Sequence, residues 1–371
     1  MRWLASFVRV PITGVALLLA LARPAAAAPV PNQEVIPPGE SRAIATILRM
    51  IEAQVERGYR AGGAALRDAH AKSHGCVRAR FTVRPGLPPD YRVAVFARPR
   101  SYDAWIRYSN GSEDIRTDSR GDGRGMAIKL LGVPGRKILP GEADAQTQDF
   151  LGINFPVFFI RNVAEYVRFF QAKEHGTAVQ FFSSRPHEAA IVAAIDRRKI
   201  HDVLDERYFS MTPYELGDRY MKYAMFPQRC IGEPILGPVA AATGANYLRT
   251  EMRRRLAEGP ACFAFAIQLQ TDPATMPIED PTIEWSAAQS PYVTVADIRI
   301  DRQSFDSPAQ NAFCENLSYT PWHALPALRP VGGINRARRA IYDGISALRH
   351  RLNGVPRTEP TEADFKKEPR P

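Results

Sequence analysis

Residues 67–76 read RDAHAKSHGC and run directly into VRARFTV, which has the composition of a β-strand. The segment places Arg67, Lys72 and the two histidines His70 and His74 at the start of that strand. It is either a polar loop that happens to hold two imidazoles or one wall of a reactive site. A single histidine at a strand end is more often a satisfied polar residue, so the choice depends on the rest of the chain.

The N-terminal segment is typical of a signal peptide. Residues 1–28 hold Arg2 and Arg9, an apolar run over residues 12–21 and the small-residue run 25–28, which match a basic region, an apolar region and a cleavage site. The apolar run is shorter than the ~20 residues that span a membrane. We therefore expect cleavage near residue 28, no stable membrane insertion, and a periplasmic or secreted protein. An uncleaved anchor is the alternative.

About 343 of the 371 residues remain beyond this segment, enough for one large domain or two small ones. The net charge of +10 falls to about +7 without the three arginines of the segment, and this excess favours acidic ligands or surfaces. Nucleic acid is not expected as a partner of an exported protein. The four cysteines form no C-x-x-C pair and allow one or two disulfides, whose pairing stays open: Cys76, Cys230, Cys262 and Cys314.

The hydrophobic pattern predicts an α+β chain. Residues 29–42 form a Pro-rich arm, residues 43–354 the folded domain, and residues 355–371 a charged, Pro-rich tail predicted to be disordered. Strands are predicted around residues 76–84, 91–97, 103–109, 124–131, 261–270 and 292–300, and helices over residues 41–62, 163–173, 186–199 and 334–354. Residues 154–162 are either a buried strand or a loop. This order favours an antiparallel sheet or barrel with grouped helices.

Common catalytic motifs are missing from the sequence. Residues 118–126, DSRGDGRGM, lack the G-K-[ST] of a P-loop and the spacing of an EF-hand, so we interpret them as a turn before a strand. No G-x-S-x-G and no H-E-x-x-H are present. Hydrolase and zinc-protease chemistry are therefore not indicated.

The last predicted helix carries a tyrosine beside arginines. Arg338, Tyr342, Ile345 and Arg349 fall on one stripe, at steps of four, three and four residues. An isolated tyrosine there would be an ordinary core-edge residue. However, a guanidinium one turn away lowers the pKa of a phenol, and a phenolate is a ligand for ferric iron.

Six segments in this order resemble the haem catalase family, from about residue 64 to residue 352. They are RDAHAK, WIRYSN, DGRGMAIKL, QDFLGINFPVFFIRN, FCENLSYTP and RARRAIY. Tyrosine-ligated haem is the catalase arrangement. The resemblance implies an antiparallel β-barrel of about eight strands, helices packed around it, and haem b between the barrel and the C-terminal helix.

The resemblance also implies roles for individual residues. His70 would be the distal acid–base group, Ser109 its hydrogen-bond partner and Asn154 the distal amide. Tyr342 would ligate the iron with Arg338 as its partner. The other cofactor-binding residues would be Arg67, Arg107 and Arg349 at the propionates, with Arg351 as the alternative to Arg349, and Phe158 and Phe159 at the pocket wall. His74 is expected to be a bystander.

The implied activity is the breakdown of hydrogen peroxide or organic peroxides through a ferryl haem, with a small-molecule reductant. The chain is shorter than typical catalases, so an NADPH site and tetramer interlocking are not expected, and the oligomeric state stays open. Phe155 and the residues after Tyr342, DGIS, depart from the family pattern. Ala69 replaces the threonine of the related allene oxide synthases. The alternative function is a non-enzymatic carrier of haem or an apolar ligand.

Overall fold

Antiparallel strands of this chain form a sheet that closes on itself. The computed structural model describes residues 33–60, 63–233 and 243–367, so the predicted signal peptide lies outside the described residues. The strands are β1 Ser73–Val83, β2 Ser101–Asn110, β3 Arg124–Leu131, β4 Thr147–Ile153, β5 Tyr208–Phe209, β6 Tyr214–Leu216, β7 Arg219–Gln228, β8 Ala261–Leu269 and β9 Val293–Ile300.

Eight of these strands make the barrel. Strands β1 to β5 pair in chain order. Strand β5 then pairs with β7, β7 with β8, β8 with β9, and β9 with β1, which closes the barrel. The short strand β6 adds a hairpin to β7. The predicted eight-stranded antiparallel barrel in an α+β chain is confirmed.

Large aromatic rings fill the barrel. Phe81, Phe96, Phe150 and Phe265 are at most 2% exposed, and their ring centroids lie 4.8–6.3 Å apart. Alternate side chains of the strands point into this core, as the period of two requires. The outward-facing side chains of β2, β3 and β4 are thereby left available to a second layer.

Helices form that second layer. They are α1 Glu40–Arg60, α2 Val163–Glu174, α3 Ala178–Ser183, α4 Pro186–Arg197, α5 Tyr247–Glu258, α6 Pro308–Asn316, α7 Gly333–Asn353 and α8 Glu362–Lys366. A separate apolar cluster joins α1, α2 and α7 through residues such as Ile47, Val163 and Ile341. None of the described helices is long and apolar enough to cross a membrane.

Several elements differ from the sequence prediction. Residues 91–97, predicted as a strand, instead include parts of two 3₁₀ turns, Pro89–Tyr91 and Ala94–Phe96, because Pro88 and Pro89 favour a turn. The side chain of Phe96 nevertheless enters the barrel core. Residues 154–162 contain no strand. Strands β4 and β7 went unpredicted because much of each is buried on both faces, which removes the alternating pattern.

The C-terminal segment also departs from its prediction. Residues 355–367, expected to be disordered, pack against the barrel. Glu359 accepts hydrogen bonds from the buried Lys129 Nζ (2.6 Å) and from Thr147 Oγ1 (2.7 Å), and α8 begins with a capping box at Thr361. Ionic contacts with a buried lysine order a segment whose composition alone is typical of disorder.

The cysteines divide into one bridge and two thiols. Cys230 and Cys262 form a disulfide that joins the end of β7 to the start of β8. Cys76 and Cys314 are free and buried. One of the pairings left open by the sequence is thus assigned.

Candidate active site

A cavity of about 140 Å³ lies between the outer face of the barrel and α7. Strands β2, β3 and β4 supply one wall, and α7 supplies the other. The residues that line it include Arg67, Asp68, His70, Arg107, Ser109, Gly125, Leu151, Ile153, Tyr319, Arg338, Ile341, Tyr342, Ile345 and Arg349. Seven of the ten predicted site residues are among them; Asn154, Phe158 and Phe159 are not.

The structure fixes His70 against the barrel wall. Its backbone adopts a positive φ of 61°, and its amide donates to the carbonyl of Gly111 (3.1 Å). Nδ1 of His70 forms a hydrogen bond with Ser109 Oγ (3.0 Å). A Cβ at Gly125 would lie only 2.6 Å from His70 Nδ1, so glycine at that position leaves the space that the ring occupies.

His70 is held neutral at physiological pH. Burial, and after it the nearby charge of Arg107, lower the pKa of His70 from its ordinary value to about 4. A neutral imidazole can accept a proton and return it. His70 therefore meets the requirement of an acid–base group inside the cavity.

His74 does not reach the cavity. It is fully buried, and its Nε2 forms a hydrogen bond with Asn110 Oδ1 (2.8 Å). The neighbouring Lys72 donates to Asp118 (2.6 Å). These two polar residues of the opening segment are structural, while His70 faces the cavity.

Three arginines gather around one carboxylate at one end of the cavity. Arg67 donates to Glu315 Oε1 (2.5 Å) and to the carbonyl of Leu317 (2.7 Å). Arg349 donates to the same Glu315 carboxylate (3.1 Å) and to the Glu315 carbonyl (2.6 Å). We call Arg67, Arg107 and Arg349 the arginine cluster. Arg349 lines the cavity, whereas Arg351, the alternative to it, is absent from the lining.

The arginine cluster has an excess of positive charge. Burial and the charge of Arg67 lower the pKa of Arg349 to about 9, which leaves it a cation at pH 7. Arg107 donates to the carbonyl of His70 (2.8 Å), but its buried Nε has no partner. With Glu315 ionised, three cations face one anion. This end of the cavity is suited to a ligand that carries carboxylates.

On the opposite wall of the cavity, Tyr342 lies next to the cation Arg338. Tyr342 lines the cavity from α7, and the guanidinium of Arg338 lies 5.2 Å from the centre of its ring. Arg338 is held in place because it donates to Thr212 Oγ1 (3.1 Å) and Asn335 Oδ1 (3.0 Å). Burial opposes the charge of Arg338, yet Tyr342 and Tyr214 raise its pKa above the ordinary value. Arg338 therefore stays charged beside the phenol.

Asn154, predicted as the distal amide, does not line the cavity. Asn154 is buried with its side chain engaged elsewhere: Oδ1 accepts from the backbone of Arg124 (2.6 Å), and Nδ2 donates to Glu206 Oε2 (3.0 Å). The residue that lines the cavity at this place is its neighbour Ile153, which is paired across the sheet with Gly125. The period of two turns adjacent residues to opposite faces of a strand, so a shift by one residue exchanges an amide for an apolar side chain.

Phe158 and Phe159, predicted at the pocket wall, do not line the cavity either. Phe158 and Phe159 pack on each other (4.9 Å between centroids), and Phe158 packs on Tyr166 of α2 (5.6 Å). Both belong to an aromatic cluster that includes residues of α2 and α3. They support the helices and do not line the cavity.

Two acidic residues of the site were missed from the sequence. Glu315 holds the arginine cluster, and Asp68 lines the cavity next to His70, where burial raises its pKa to about 6. Asp68 Oδ1 accepts from Gln54 of α1 (3.3 Å). Asp68 adjoins the first motif, but Glu315 lies 248 residues from Arg67, and no local pattern joins those two.

Solved structures of catalases share this fold. A fungal catalase matches with a TM-score of 0.62 and 18% identity, over 79% of this chain and 61% of that one. A bacterial catalase gives 0.61 and 16% over 94% and 68%, and catalase A from Saccharomyces cerevisiae gives 0.62 and 16% over 81% and 65%. No family model and no curated protein matches the sequence. The chain therefore has the catalase-like fold and spans 61–68% of the length of these three proteins.

Proposed function

We propose that the chain is a haem-dependent peroxidase that breaks down peroxides at the cavity between the barrel and α7. One observation carries the proposal: a neutral, serine-bonded His70 and a tyrosine beside an arginine, Tyr342, line the two walls of a single cavity that ends in the arginine cluster. The catalase-like fold supports the same reaction class.

The residues present suit haem b. Tyr342 next to Arg338 would supply a phenolate ligand to the iron, and the arginine cluster, with the unpartnered Nε of Arg107, would hold the two propionates. The apolar side chains of Ile341 and Ile345 would face the ring system. Haem bound there would supply the iron centre that takes up a peroxide oxygen and stores the oxidising equivalents.

The protein's own part in the reaction is proton transfer. His70 would accept a proton from the bound peroxide and return it to the departing oxygen, as a general acid–base. Ser109 fixes the orientation of the imidazole, and Gly125 leaves room for it. The wall around His70 keeps the ring neutral, so it is ready to act as a base at pH 7.

The distal wall favours organic hydroperoxides over fast disproportionation of hydrogen peroxide. Ile153 stands across the sheet from Gly125, on which the His70 ring rests, and no amide side chain lines the cavity among the described residues. An amide there would hold a small polar peroxide and stabilise charge on its oxygen. An apolar wall instead accommodates the carbon chain of an alkyl or lipid hydroperoxide.

We further propose that the protein works in the periplasm or outside the cell. The disulfide Cys230–Cys262 supports this location, because disulfides persist in oxidising compartments. The sequence pattern of residues 1–28 is in accord with export.

The test is the visible absorption spectrum of the protein made with haem supplied, followed by turnover of cumene hydroperoxide with an organic reductant. Tyr342→Phe should lower the haem content or shift the ferric spectrum, whereas Tyr166→Phe, at a half-buried tyrosine of the neighbouring helix, should leave both unchanged. His70→Ala should retain haem and lose ~10²–10⁴-fold in turnover. Bound haem without turnover in the unaltered protein would favour the carrier function, and an unchanged spectrum in Tyr342→Phe would contradict Tyr342 as the ligand.

A further inference from the structure

Two buried thiols lie directly behind the arginine cluster. Cys76 of β1 is 1% exposed and Cys314 of α6 is 3% exposed. They share a small apolar cluster with Trp105, Leu131 and Leu317, and each thiol changes the pKa of the other. Neither takes part in the disulfide found elsewhere in the chain.

A buried amide fixes the distance between the two chain segments. Gln310 of α6 donates from Nε2 to the carbonyl of Cys76 (2.7 Å). Cys314 follows Gln310 by four residues and so lies on the same face of α6, one turn further on. This hydrogen bond from Gln310 therefore holds Cys314 beside Cys76, although 238 positions separate the two cysteines in the sequence.

The two thiols stand in unequal surroundings. Arg67 donates to the carbonyl of Cys314 (3.4 Å), and Cys76 pairs across the sheet with Arg107. Burial opposes ionisation of Cys314, but the neighbouring Cys76 thiol and the charges of Arg107 and Arg67 lower its pKa below the ordinary value. Burial and the same partner raise the pKa of the Cys76 thiol. Cys314 is thus the better nucleophile of the pair.

One residue separates the thiols from the cavity. The ring of Tyr319 lines the cavity, and its hydroxyl lies 3.8 Å from Cys76 Sγ. A small oxidant that enters the cavity can therefore contact a side chain that itself contacts Cys76. A lone buried cysteine behaves as a small apolar residue. Two neighbouring thiols beside cations can instead be oxidised to a disulfide.

We propose that Cys76 and Cys314 are a peroxide-oxidisable dithiol that closes to a second disulfide. The Cys314 thiolate attacks one oxygen of hydrogen peroxide, the O–O bond breaks, and Cys314 becomes a sulfenic acid while the other oxygen leaves as water after protonation. The Cys76 thiol then attacks the sulfenic sulfur, forms the S–S bond and releases a second water. Overall, two thiols and one hydrogen peroxide give one disulfide and two waters. This activity goes beyond the proposed haem reaction and does not depend on it.

The experiment is peptide mapping by mass spectrometry without reduction, on the purified full chain before and after hydrogen peroxide, with free thiols alkylated under denaturing conditions. Two thiols per chain should be lost together, and a peptide pair joined through Cys76 and Cys314 should appear. The bridge between Cys230 and Cys262 serves as an internal control that peroxide leaves unchanged. The same mapping in dithiothreitol buffers of graded oxidation state tests pairing without peroxide.

Single substitutions test the order of attack. In Cys76→Ser, Cys314 should be oxidised by peroxide and stop at the sulfenic acid, detectable with a dimedone probe. In Cys314→Ser, Cys76 should stay reduced under the same exposure. The reverse pattern would overturn the assignment of Cys314 as nucleophile. Survival of both thiols in the unaltered protein, in peroxide and in fully oxidised dithiothreitol, would overturn the proposal, and a pair formed only in dithiothreitol would overturn the peroxide step.

Discussion

The hydrogen bond between His70 Nδ1 and Ser109 Oγ, 3.0 Å long, joins a residue before β1 to the outer face of β2. It fixes one nitrogen of the ring and leaves the other for the cavity. Ser109→Ala should therefore lower peroxide turnover by about ten- to a hundredfold, as loss of an orienting partner does elsewhere, with haem content retained. Steady-state kinetics with a parallel Soret measurement checks this, and Ser101→Ala, at the exposed start of the same strand, is the control. Unchanged kinetics would mean that Ser109 does not orient the ring.

The pH dependence of turnover should follow His70. Because burial and Arg107 lower its pKa to about 4, the ring stays neutral, and therefore basic, from neutral pH down to about pH 5. Turnover should be flat over that range and fall as pH drops through about 4. Circular dichroism at each pH separates this loss from unfolding. A fall centred near 6.5, the ordinary histidine value, would contradict the buried environment described for His70.

Ile153→Asn should change the preference among peroxides. It places an amide on the cavity wall across from Gly125, so turnover of hydrogen peroxide relative to cumene hydroperoxide should rise by about tenfold or more. Ile153→Leu keeps the wall apolar and should leave the ratio near its original value. Asn154→Ala should lower thermal stability without a change in the ratio, because Asn154 bonds Glu206 and faces away from the cavity. A ratio that responds to residue 154 but not to residue 153 would contradict the register observed here.

Of the residues singled out from the sequence, those in the spaced motifs line the cavity, and those at the end of β4 and in the loop after it do not. His70, Arg67 and Tyr342 sit in motifs with a fixed spacing, so each could be placed from a few residues of sequence. Asn154 could not, because a one-residue shift along β4 decides whether a side chain faces the cavity. Phe158 and Phe159 lie in a loop, where no period indicates which way a ring points.

Local sequence patterns could not predict contacts between segments that lie far apart in the chain. The carboxylate of Glu315 pairs with Arg67 across 248 residues, and Glu359 reaches Lys129 across 230. The barrel itself was predictable because most of its long strands alternate or follow turn residues. Strands β4 and β7, buried through much of their length on both faces, carry no such signal.

Glu315 should stabilise the fold in a pH-dependent way. Burial opposes its ionisation, but Arg67, Arg107 and Arg349 outweigh that effect and lower its pKa. A carboxyl group whose pKa is lowered by folding stabilises the folded protein at pH values above its unfolded pKa, about 4.5. This stabilisation is lost as the pH falls through the folded pKa. Glu315→Gln should cost on the order of 2 kcal/mol at pH 7, and the difference from the unaltered protein should shrink below pH ~4. Urea unfolding at both pH values checks this. Glu56→Gln, an exposed partner of Arg60, should change stability little, and an equal effect at both sites would contradict the role given to Glu315.

Removal of residues 355–371 should destabilise the barrel, contrary to what their composition suggests. The deletion takes away Glu359, which accepts from Lys129 Nζ (2.6 Å) and Thr147 Oγ1 (2.7 Å) at a site where Lys129 is fully buried. Asp149 remains as a partner (2.8 Å), but one cation contact is lost and the cluster opens to water. Because a buried ion pair that loses one member costs on the order of 3 kcal/mol, the midpoint of thermal unfolding should fall by several degrees. Glu359→Gln should reproduce most of the loss with the segment intact. An unchanged midpoint in the deletion variant would show that the segment does not hold the barrel.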